Sequence, residues 1–243
     1  MTQSNTPRKE HSVSKLVLEN RWSIPFALVL TYATVFSLWQ PKVFLHPYNL
    51  KSLLLEFSIP TFVAIGMAFQ LIDGEIDLSM ANNVMFTNIF CGVMIMRGFP
   101  VYTAIAITLI TSLIFGTLVG LVVSRLKINS FIASLGFGQI YYSLGLALYS
   151  YGSDAKHFVI PGVDLLHMSA EFKRIGQTEL WGLQLPVYYA LVVILFSILF
   201  LPRTKFFRKH YYIGANAEAA RLSGIRVESM KTGSFIISSF IFA

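Results

Sequence analysis

Three carboxylates lie close together in the segment DGEIDLSMANN, residues 73–83, between two apolar stretches. A continuous helix would place Asp73 and Asp77 on one face as like charges, so the sequence predicts a break at Gly74. Asp77 or Ser79 is then expected to cap the helix that follows. Two interpretations stay open: a solvated turn with ordinary caps, and a broken helix that lines a substrate path. In the second, the path candidates are Gly74, Asp77 and Ser79.

Other chemistry finds little support in the residue pattern. No glycine is followed by lysine, which excludes a G-x-x-x-x-G-K-[ST] phosphate loop and leaves any ATP hydrolysis to another chain. The single cysteine, Cys91, excludes an internal disulfide, and the histidines lie in different loops without metal-ligand spacing. We therefore expect no catalytic residue, no metal and no cofactor. The histidines are His11, His46, His157, His167 and His210.

The composition is typical of a membrane protein. Of 243 residues, 55% are hydrophobic and 13% are charged, about half the charged fraction of a soluble domain. The formal net charge of +7 would suggest nucleic-acid binding if the basic residues covered one exposed face. They lie instead between apolar runs, so no nucleic-acid partner is expected.

Six segments are apolar over a length near the twenty residues that a spanning helix needs. They predict an all-α, polytopic α-helical membrane protein with a leader, residues 1–21, and one transmembrane domain, residues 22–243. A seventh apolar segment, residues 232–243, supplies roughly 18 Å of helix against a hydrocarbon core of about 30 Å and is incomplete. The six predicted spans are residues 22–39, 52–72, 80–96, 101–124, 131–149 and 186–201.

The basic residues predict the orientation. With the N-terminus in the cytoplasm, 13 of them face inward and 6 face outward, as the positive-inside rule requires. The connection of residues 150–185 is then external, either as a solvated loop or as part of a surface for another protein. The inward set is Arg8, Lys9, Lys15, Arg21, Arg125, Lys127, Arg203, Lys205, Arg208, Lys209, Arg221, Arg226 and Lys231, and the outward set is Lys42, Lys51, Arg97, Lys156, Lys173 and Arg174.

A polar segment near the end of the chain, residues 210–231, is called the polar cassette below. It predicts a helix of about two turns, capped by Asn216, with Glu218 in its first turn and Gly224 at its end. A helix this short is not stable alone, and its alanines offer a smooth knob that can seat in a groove of another protein. The alternative is a basic loop that only holds topology. The alanines are Ala215, Ala217, Ala219 and Ala220.

Small residues recur at every fourth position along the span 101–124. In a helix they form one stripe that lets another helix approach closely, as in the small-xxx-small packing of membrane proteins. We expect a helix-packing face made of Ser112, Gly116, Gly120 and Ser124.

Part of the polar cassette, GANAEAARLSGI, is very similar to the cytoplasmic segment G-x-N-x-E-A-A-R-x-x-G-I of the ribose-type permeases, the membrane subunits of bacterial ABC importers for simple sugars. In that family the segment looks like the coupling helix that receives force from the ATPase subunit. The resemblance therefore implies an ATPase-coupling role for Gly214, Asn216, Glu218, Ala219, Ala220, Arg221, Gly224 and Ile225.

Two further blocks extend the resemblance from about Asn49 to Ala243. DGEIDLS resembles the family's T-G-G-I-D-L-S, from which Asp73 and Glu75 depart, and residues 116–136 resemble a third block in which Asn129 replaces a usual proline. The resemblance implies a passive permease subunit in the bacterial cytoplasmic (inner) membrane. Its implied partners are a cytoplasmic ABC ATPase, an external sugar-binding protein, a second permease copy or paralogue, and the lipid bilayer.

The leading hypothesis is thus an importer subunit for a monosaccharide or a similar small polar solute. The alternative is a secondary transporter, for which the sequence shows no internal repeat with matching broken helices. A membrane enzyme would need convergent acid, base or metal ligands. Because the family's C-terminal spans are missing from the pattern, we also expect a truncated chain that does not form a working permease alone.

Overall fold

The computed structural model describes residues 23–152 and 169–243, and these residues are almost entirely helical. The one sheet among them is a hairpin of two-residue strands, β1 (Glu179–Leu180) and β2 (Leu183–Gln184). A 3₁₀ turn covers Leu201–Arg203. The helices are α1 (Ser23–Trp39), α2 (Pro41–Phe44), α3 (Pro47–Ile72), α4 (Met80–Met96), α5 (Val101–Ser124), α6 (Ser130–Gly152), α7 (Ala170–Gln177), α8 (Leu185–Phe200), α9 (Lys205–Ala215), α10 (Ala217–Leu222) and α11 (Val227–Phe242).

Four helical stretches are long and apolar enough to cross a membrane: Pro47–Ile72, Val101–Ser124, Ser130–Ser150 and Leu185–Arg203. Helices α1 and α4 are apolar but have 17 residues each, which gives about 25 Å of helix. The polytopic all-α prediction is therefore confirmed for the described residues, whereas the count of six complete spans is not. Helices α4 and α5 begin and end at the predicted residues.

The chain divides into two units, residues 1–53 and 54–243. In the described part of the first unit, Phe36 stacks on Trp39 and on Phe44, with ring centroids 6.3 and 5.9 Å apart. Asn49 Nδ2 donates to the Phe44 carbonyl at 2.9 Å, which fixes the turn between α2 and α3. The predicted leader, residues 1–21, and Trp22 lie outside the described residues.

The core of the second unit forms where α11 packs against α5. Phe235 of α11 is fully buried in a cluster with Val119 and Val123 of α5 and with Phe86 and Tyr141 of α4 and α6. This pair of helices has the most extensive contact of any two described elements. The segment predicted as an incomplete seventh span is thus a central packing element of the unit.

Helix α11 begins at Val227, five residues before the predicted start at Thr232. The predicted segment was defined by the absence of charge and so began after Lys231, whereas the helix includes Lys231 and Glu228. Glu228 lies in the first turn, where the helix dipole favours a negative side chain, and Val227 is buried against Ile213 and Ala220. The first turn of α11 therefore belongs to the polar cassette.

Within the connection predicted to be external, residues 150–185, the described part includes α7 and the hairpin. Helix α7 is capped by Ser169, whose Oγ accepts from the Phe172 backbone N–H at 3.3 Å. Phe172 and Ile175 then pack against a buried cluster at the junction of α4 and α5, formed by Cys91, Ile95, Val101 and Ala104. Residues 153–168, which include Asp154, Lys156, His157 and Asp164, lie outside the described part of the chain.

Candidate functional site

The predicted helix break is present between α3 and α4. Gly74 has φ of +77°, a left-handed conformation that glycine adopts without strain, and it turns the chain out of α3. Asp77 Oδ1 accepts from the Ser79 backbone N–H at 2.8 Å and from Ser79 Oγ at 2.5 Å. Ser79 occupies the N-cap position of α4, but its own side chain makes no capping bond. Asp77 therefore holds the start of α4.

The carboxylates of the break are not solvated. Asp73 and Asp77 are 2% and 1% exposed, so the interpretation as a solvated turn is wrong for both. Asp77 Oδ2 accepts from Gln70 Nε2 at 3.1 Å, and Gln70 Nε2 also donates to Ser238 Oγ of α11 at 2.5 Å. Of the three path candidates, only Gly74 is exposed in this conformation, since Ser79 is buried as well.

Asp73 joins three elements of the fold. Its Oδ1 lies 2.7 Å from Nδ1 of His210 on α9, and its Oδ2 accepts from Ser234 Oγ of α11 at 2.5 Å. His210 is 1% exposed and Ser234 fully buried. The sequence predicts a loop for His210 and a turn for Asp73, and it predicts a partner for neither.

Glu75 forms a second link between the break and α11. Its Oε1 pairs with Nζ of Lys231, and the two side chains are 12% and 19% exposed. The two break residues that depart from the resembling motif, Asp73 and Glu75, thus both pair with the polar cassette. The difference from the family motif was the sign in the sequence that Asp73 and Glu75 have a special role, although it did not reveal their partners.

The polar cassette contains more helix than the predicted two turns. It starts within α9, an amphipathic helix of 11 residues that the sequence prediction missed, and Asn216 then separates α9 from α10. As predicted, Asn216 caps α10: its Oδ1 accepts from the backbone N–H groups of Glu218 and Ala219, both at 3.0 Å. Gly224, with φ of +81°, ends the turn after α10.

The alanines of the polar cassette do not all face outward. Ala220 is 4% exposed and packs against Ile213 and Val227, because an amphipathic stub of six residues needs an apolar face to hold it on the bundle. Ile225 lies at the edge of the same cluster. In contrast to Ala220, Ala219 is exposed to solvent, and Leu222 is 83% exposed. The prediction of a four-alanine knob is therefore wrong for Ala220, and it overlooked Leu222.

Arg221 connects α10 to α11 by ion pairs on the outer face of the polar cassette. Its guanidinium donates to Glu218 of α10 at 2.5 Å and to Glu228 of α11 at 2.6 Å. The backbone N–H of Glu228 and the Arg221 guanidinium hold the pKa of the Glu228 carboxyl below its ordinary value. Glu228 in turn raises the pKa of Arg221. These side chains are solvent-exposed, so the network orients α10 and contributes little to stability.

Gly214 is where the polar cassette comes closest to the break. A Cβ atom at this position would overlap the carbonyl oxygen of Ile72, the last residue of α3. Gly214 and His210 are four residues apart and so share one face of α9. This face is the one turned to Ile72 and Asp73.

The small-residue stripe of α5 is in contact with α11. Cβ atoms added at Gly116 and Gly120 would lie 2.7 Å from the Phe235 carbonyl oxygen and 2.9 Å from Thr232 Cα. At the ends of the stripe, Ser112 Oγ donates to the Ser239 carbonyl at 2.6 Å, and Ser124 Oγ lies 2.7 Å from Thr232 Oγ1. The stripe and α11 therefore meet backbone to backbone.

A cavity of about 760 Å³ lies in the second unit, away from the break. Its walls are mostly apolar side chains of α3, α4, α5 and α11, with Thr87, Asn88 and Thr108 as polar groups. A polyhydroxylated solute needs many hydrogen-bond partners, so this cavity is poorly suited to a sugar. It contains none of the predicted path residues.

Residues 49–243 match the family model described as branched-chain amino acid transport system / permease component. No solved structure gives a significant match. The family match covers the break, the small-residue stripe and the polar cassette.

Curated relatives include the ribose import permease protein RbsC of Haemophilus influenzae, 26% identical over 95% of this chain and 68% of the relative. The L-arabinose transport system permease protein AraH of Escherichia coli is 28% identical over 99% of this chain and 69% of the relative. The L-arabinose ABC transporter permease protein AraH of Azospirillum brasilense is 28% identical over 92% of this chain and 62% of the relative. The chain thus spans about two thirds of the length of these proteins.

Proposed function

Because the chain belongs to the family of branched-chain amino acid transport system permease components, we propose that it is the membrane permease subunit of an ABC importer. The polar cassette carries the proposal: α10 is capped by Asn216, held inward by Ala220, and turns Leu222 outward. A short helix fixed in this way fits a groove on a partner protein. The partner is a cytoplasmic ABC ATPase, since the chain lacks a phosphate loop of its own.

The eight coupling candidates divide by position in this proposal. Ala219, Glu218 and Arg221 form the outer surface that meets the ATPase, and Leu222 joins them. Asn216 and Gly224 shape the two ends of α10, while Gly214, Ala220 and Ile225 fix the cassette to the bundle. Contact residues and positioning residues should therefore respond differently to substitution.

The proposed solute is a monosaccharide or a similar small polar molecule. This follows from the relatives, whose names give ribose and L-arabinose. Gly74, Asp77 and Ser79 are the proposed path residues at the break. Because Asp77 and Ser79 are buried against each other, they can reach a solute only when the start of α4 moves.

The proposed membrane arrangement keeps six complete spans in the inner membrane and a cytoplasmic N-terminus. The distribution of basic residues supports this orientation, with 13 inward and 6 outward. In this orientation, α7 and the hairpin lie on the external side of the membrane. Trp181 of the hairpin turn is 90% exposed and so available to an external sugar-binding protein. A second permease copy or paralogue completes the proposed pore.

Co-purification with the ABC ATPase subunits of the same cell tests the function. Ala219→Arg adds a long charged side chain on the exposed face of α10, so the fold should survive while binding weakens. Leu222→Ala removes apolar surface worth about 1.5–3 kcal/mol when buried, or roughly 10- to 100-fold in affinity. We expect both variants to reach the membrane in normal amounts and to lose the ATPase.

Gly176→Arg is the matched control. A side chain at this position of α7 meets open space, and the proposed orientation puts it on the opposite side of the membrane. This variant should retain the ATPase. Undiminished ATPase binding by both Ala219→Arg and Leu222→Ala would contradict the proposal.

A further inference from the structure

Polar contacts between the helix break and the polar cassette are concentrated in two pairs. Asp73 meets His210 and Glu75 meets Lys231, and the four residues come from the break, α9 and the first turns of α11. Such pairs hold a defined geometry when they are removed from water, because each charged or polar group needs its partner. The break therefore contacts the polar cassette through Asp73 and Glu75, the two residues at which it differs from the family motif.

Helix α9 is fixed to the break at two points on one face. His210 bonds Asp73 at 2.7 Å, and four residues later Gly214 lies against the Ile72 carbonyl with no room for a side chain. A helix held at two points one turn apart can neither slide along nor roll over the surface it touches without breaking both contacts. Helix α9 and the end of α3 must therefore move together.

Helix α11 is fixed to the same short segment. Ser234 donates to Asp73 at 2.5 Å, and Lys231, one turn before it, pairs with Glu75. The Ser238 hydroxyl continues the row by accepting from Gln70, which in turn donates to Asp77. This row reaches from the cassette to the carboxylate that holds the start of α4.

We infer that Asp73, Glu75, His210 and Lys231 are positioning residues that make the polar cassette and residues 73–79 one mechanical body. Movement applied to α10 is then delivered to the start of α4, where Asp77 and Ser79 lie. The source of that movement rests on the proposed function. The rigid connection does not, and it can be measured in the permease alone.

The first test is amide hydrogen exchange of residues 73–79 in the full chain in lipid nanodiscs. Lys231→Gln removes the cation that faces Glu75, and Arg221→Gln removes an equivalent cation from the outer pairs with Glu218 and Glu228. We expect Lys231→Gln to speed exchange in residues 73–79 by about tenfold or more. Arg221→Gln should leave it within about twofold, because Arg221 does not contact the break.

The charge swap Glu75→Lys with Lys231→Glu sharpens this test. Each single reversal puts like charges together and should speed exchange, while the double variant restores an opposite pair and should bring exchange back toward the parent. At the deeper pair, His210→Asn retains a donor near the place of Nδ1, whereas His210→Phe removes it. Exchange should be faster in His210→Phe than in His210→Asn.

The second measurement is ATP hydrolysed per ribose or L-arabinose moved, in an importer assembled with the ATPase, the binding protein and the second permease of the proposed function. Lys231→Gln should still co-purify with the ATPase, yet hydrolyse at least several-fold more ATP per solute, because the force no longer reaches α4. Lys42→Gln, which removes an exposed cation of α2, should keep the parental ratio.

The outcomes separate the two ideas. A parent chain that binds no ATPase overturns the proposed function, and the exchange data then decide the rigid connection by themselves. Unchanged exchange in both Lys231→Gln and His210→Phe overturns the inference, as does an equal increase in Arg221→Gln. Fast exchange with a parental ATP-to-solute ratio overturns the role in coupling.

Discussion

Helix α11 meets its neighbours by two different kinds of contact. On the side of α5, its backbone lies against Gly116 and Gly120, and the contact depends on shape. On the side of the helix break, Lys231 and Ser234 bond to carboxylates, and the contact depends on chemical partners. In a bilayer, lipid tails remove the hydrophobic drive between helices. The contact of α11 with α5, called the shape joint below, is then fixed by the absence of side chains. The contact of α11 with the break, called the polar joint, is fixed by matched polar groups.

The largest effect should come from the polar joint. Asp73→Ala leaves His210 and Ser234 buried without their acceptor, and breaking a buried pair from one side destabilises by roughly 3–5 kcal/mol. The double variant Asp73→Ala with His210→Phe should recover part of this loss because it removes the abandoned partner. Unfolding in mixed micelles measures both values. If the double variant lost more unfolding free energy than the two single variants lose together, this explanation of the polar joint would be contradicted.

The shape joint should respond to a single methyl group. Gly116→Ala places a Cβ atom 2.7 Å from the Phe235 carbonyl oxygen, so the helices must separate, at a loss of about 1–3 kcal/mol. Gly136→Ala in α6 is the control, because a Cβ atom there meets nothing within 4 Å. It should stabilise by roughly 0.5–1 kcal/mol, since alanine favours helix over glycine. Equal effects at the two glycines would show that the close approach is not decisive.

A smaller effect is expected where the two kinds of contact overlap. Ser124 Oγ and Thr232 Oγ1 lie 2.7 Å apart at the end of the stripe, and Ser124→Ala removes this bond at a loss of about 0.5–1.5 kcal/mol. Thermal melting of the purified permease can resolve that difference. Thr117→Val, which also removes a helix hydroxyl but one bonded within its own helix, is the control.

The smallest effect concerns acid. The pKa of Glu228 lies below its ordinary value in the fold, so its stabilisation is complete above the pKa of an unfolded Glu, about 4.3, and is lost as the pH falls through the folded pKa. Glu228→Gln should remove this part of the pH dependence. Melting temperatures of parent and variant should therefore differ slightly at neutral pH and converge as the pH falls through the lowered pKa of Glu228.

The sequence predicted local features well because they depend on neighbouring residues. The break at Gly74, the cap at Asn216 and the ends of α4 and α5 follow from like charges at helical spacing, from capping chemistry and from apolar length. Asn129 shows the same logic: it replaces a proline of the resembling motif, and its Oδ1 accepts from the Phe131 backbone N–H at 2.9 Å, as a helix cap does.

The pairings could not be predicted, because their partners are far apart in the chain. Asp73 and His210 are separated by 137 residues and Glu75 and Lys231 by 156, and nothing local distinguishes these side chains from solvated ones. The inward turn of Ala220 was missed for a related reason. Which face of a two-turn helix is buried depends on α9 and α11, and the sequence did not reveal α9 as a helix.

The exposed Leu222 makes the stability of this protein depend on its surroundings. A leucine side chain that is 83% exposed gains free energy when a partner covers it, and a partner that binds only the folded permease shifts unfolding by mass action. At 100 times the dissociation constant, this shift is about 2.7 kcal/mol. The melting temperature of the permease would then report the free concentration of its partner, and subunits made in excess would be the first to unfold.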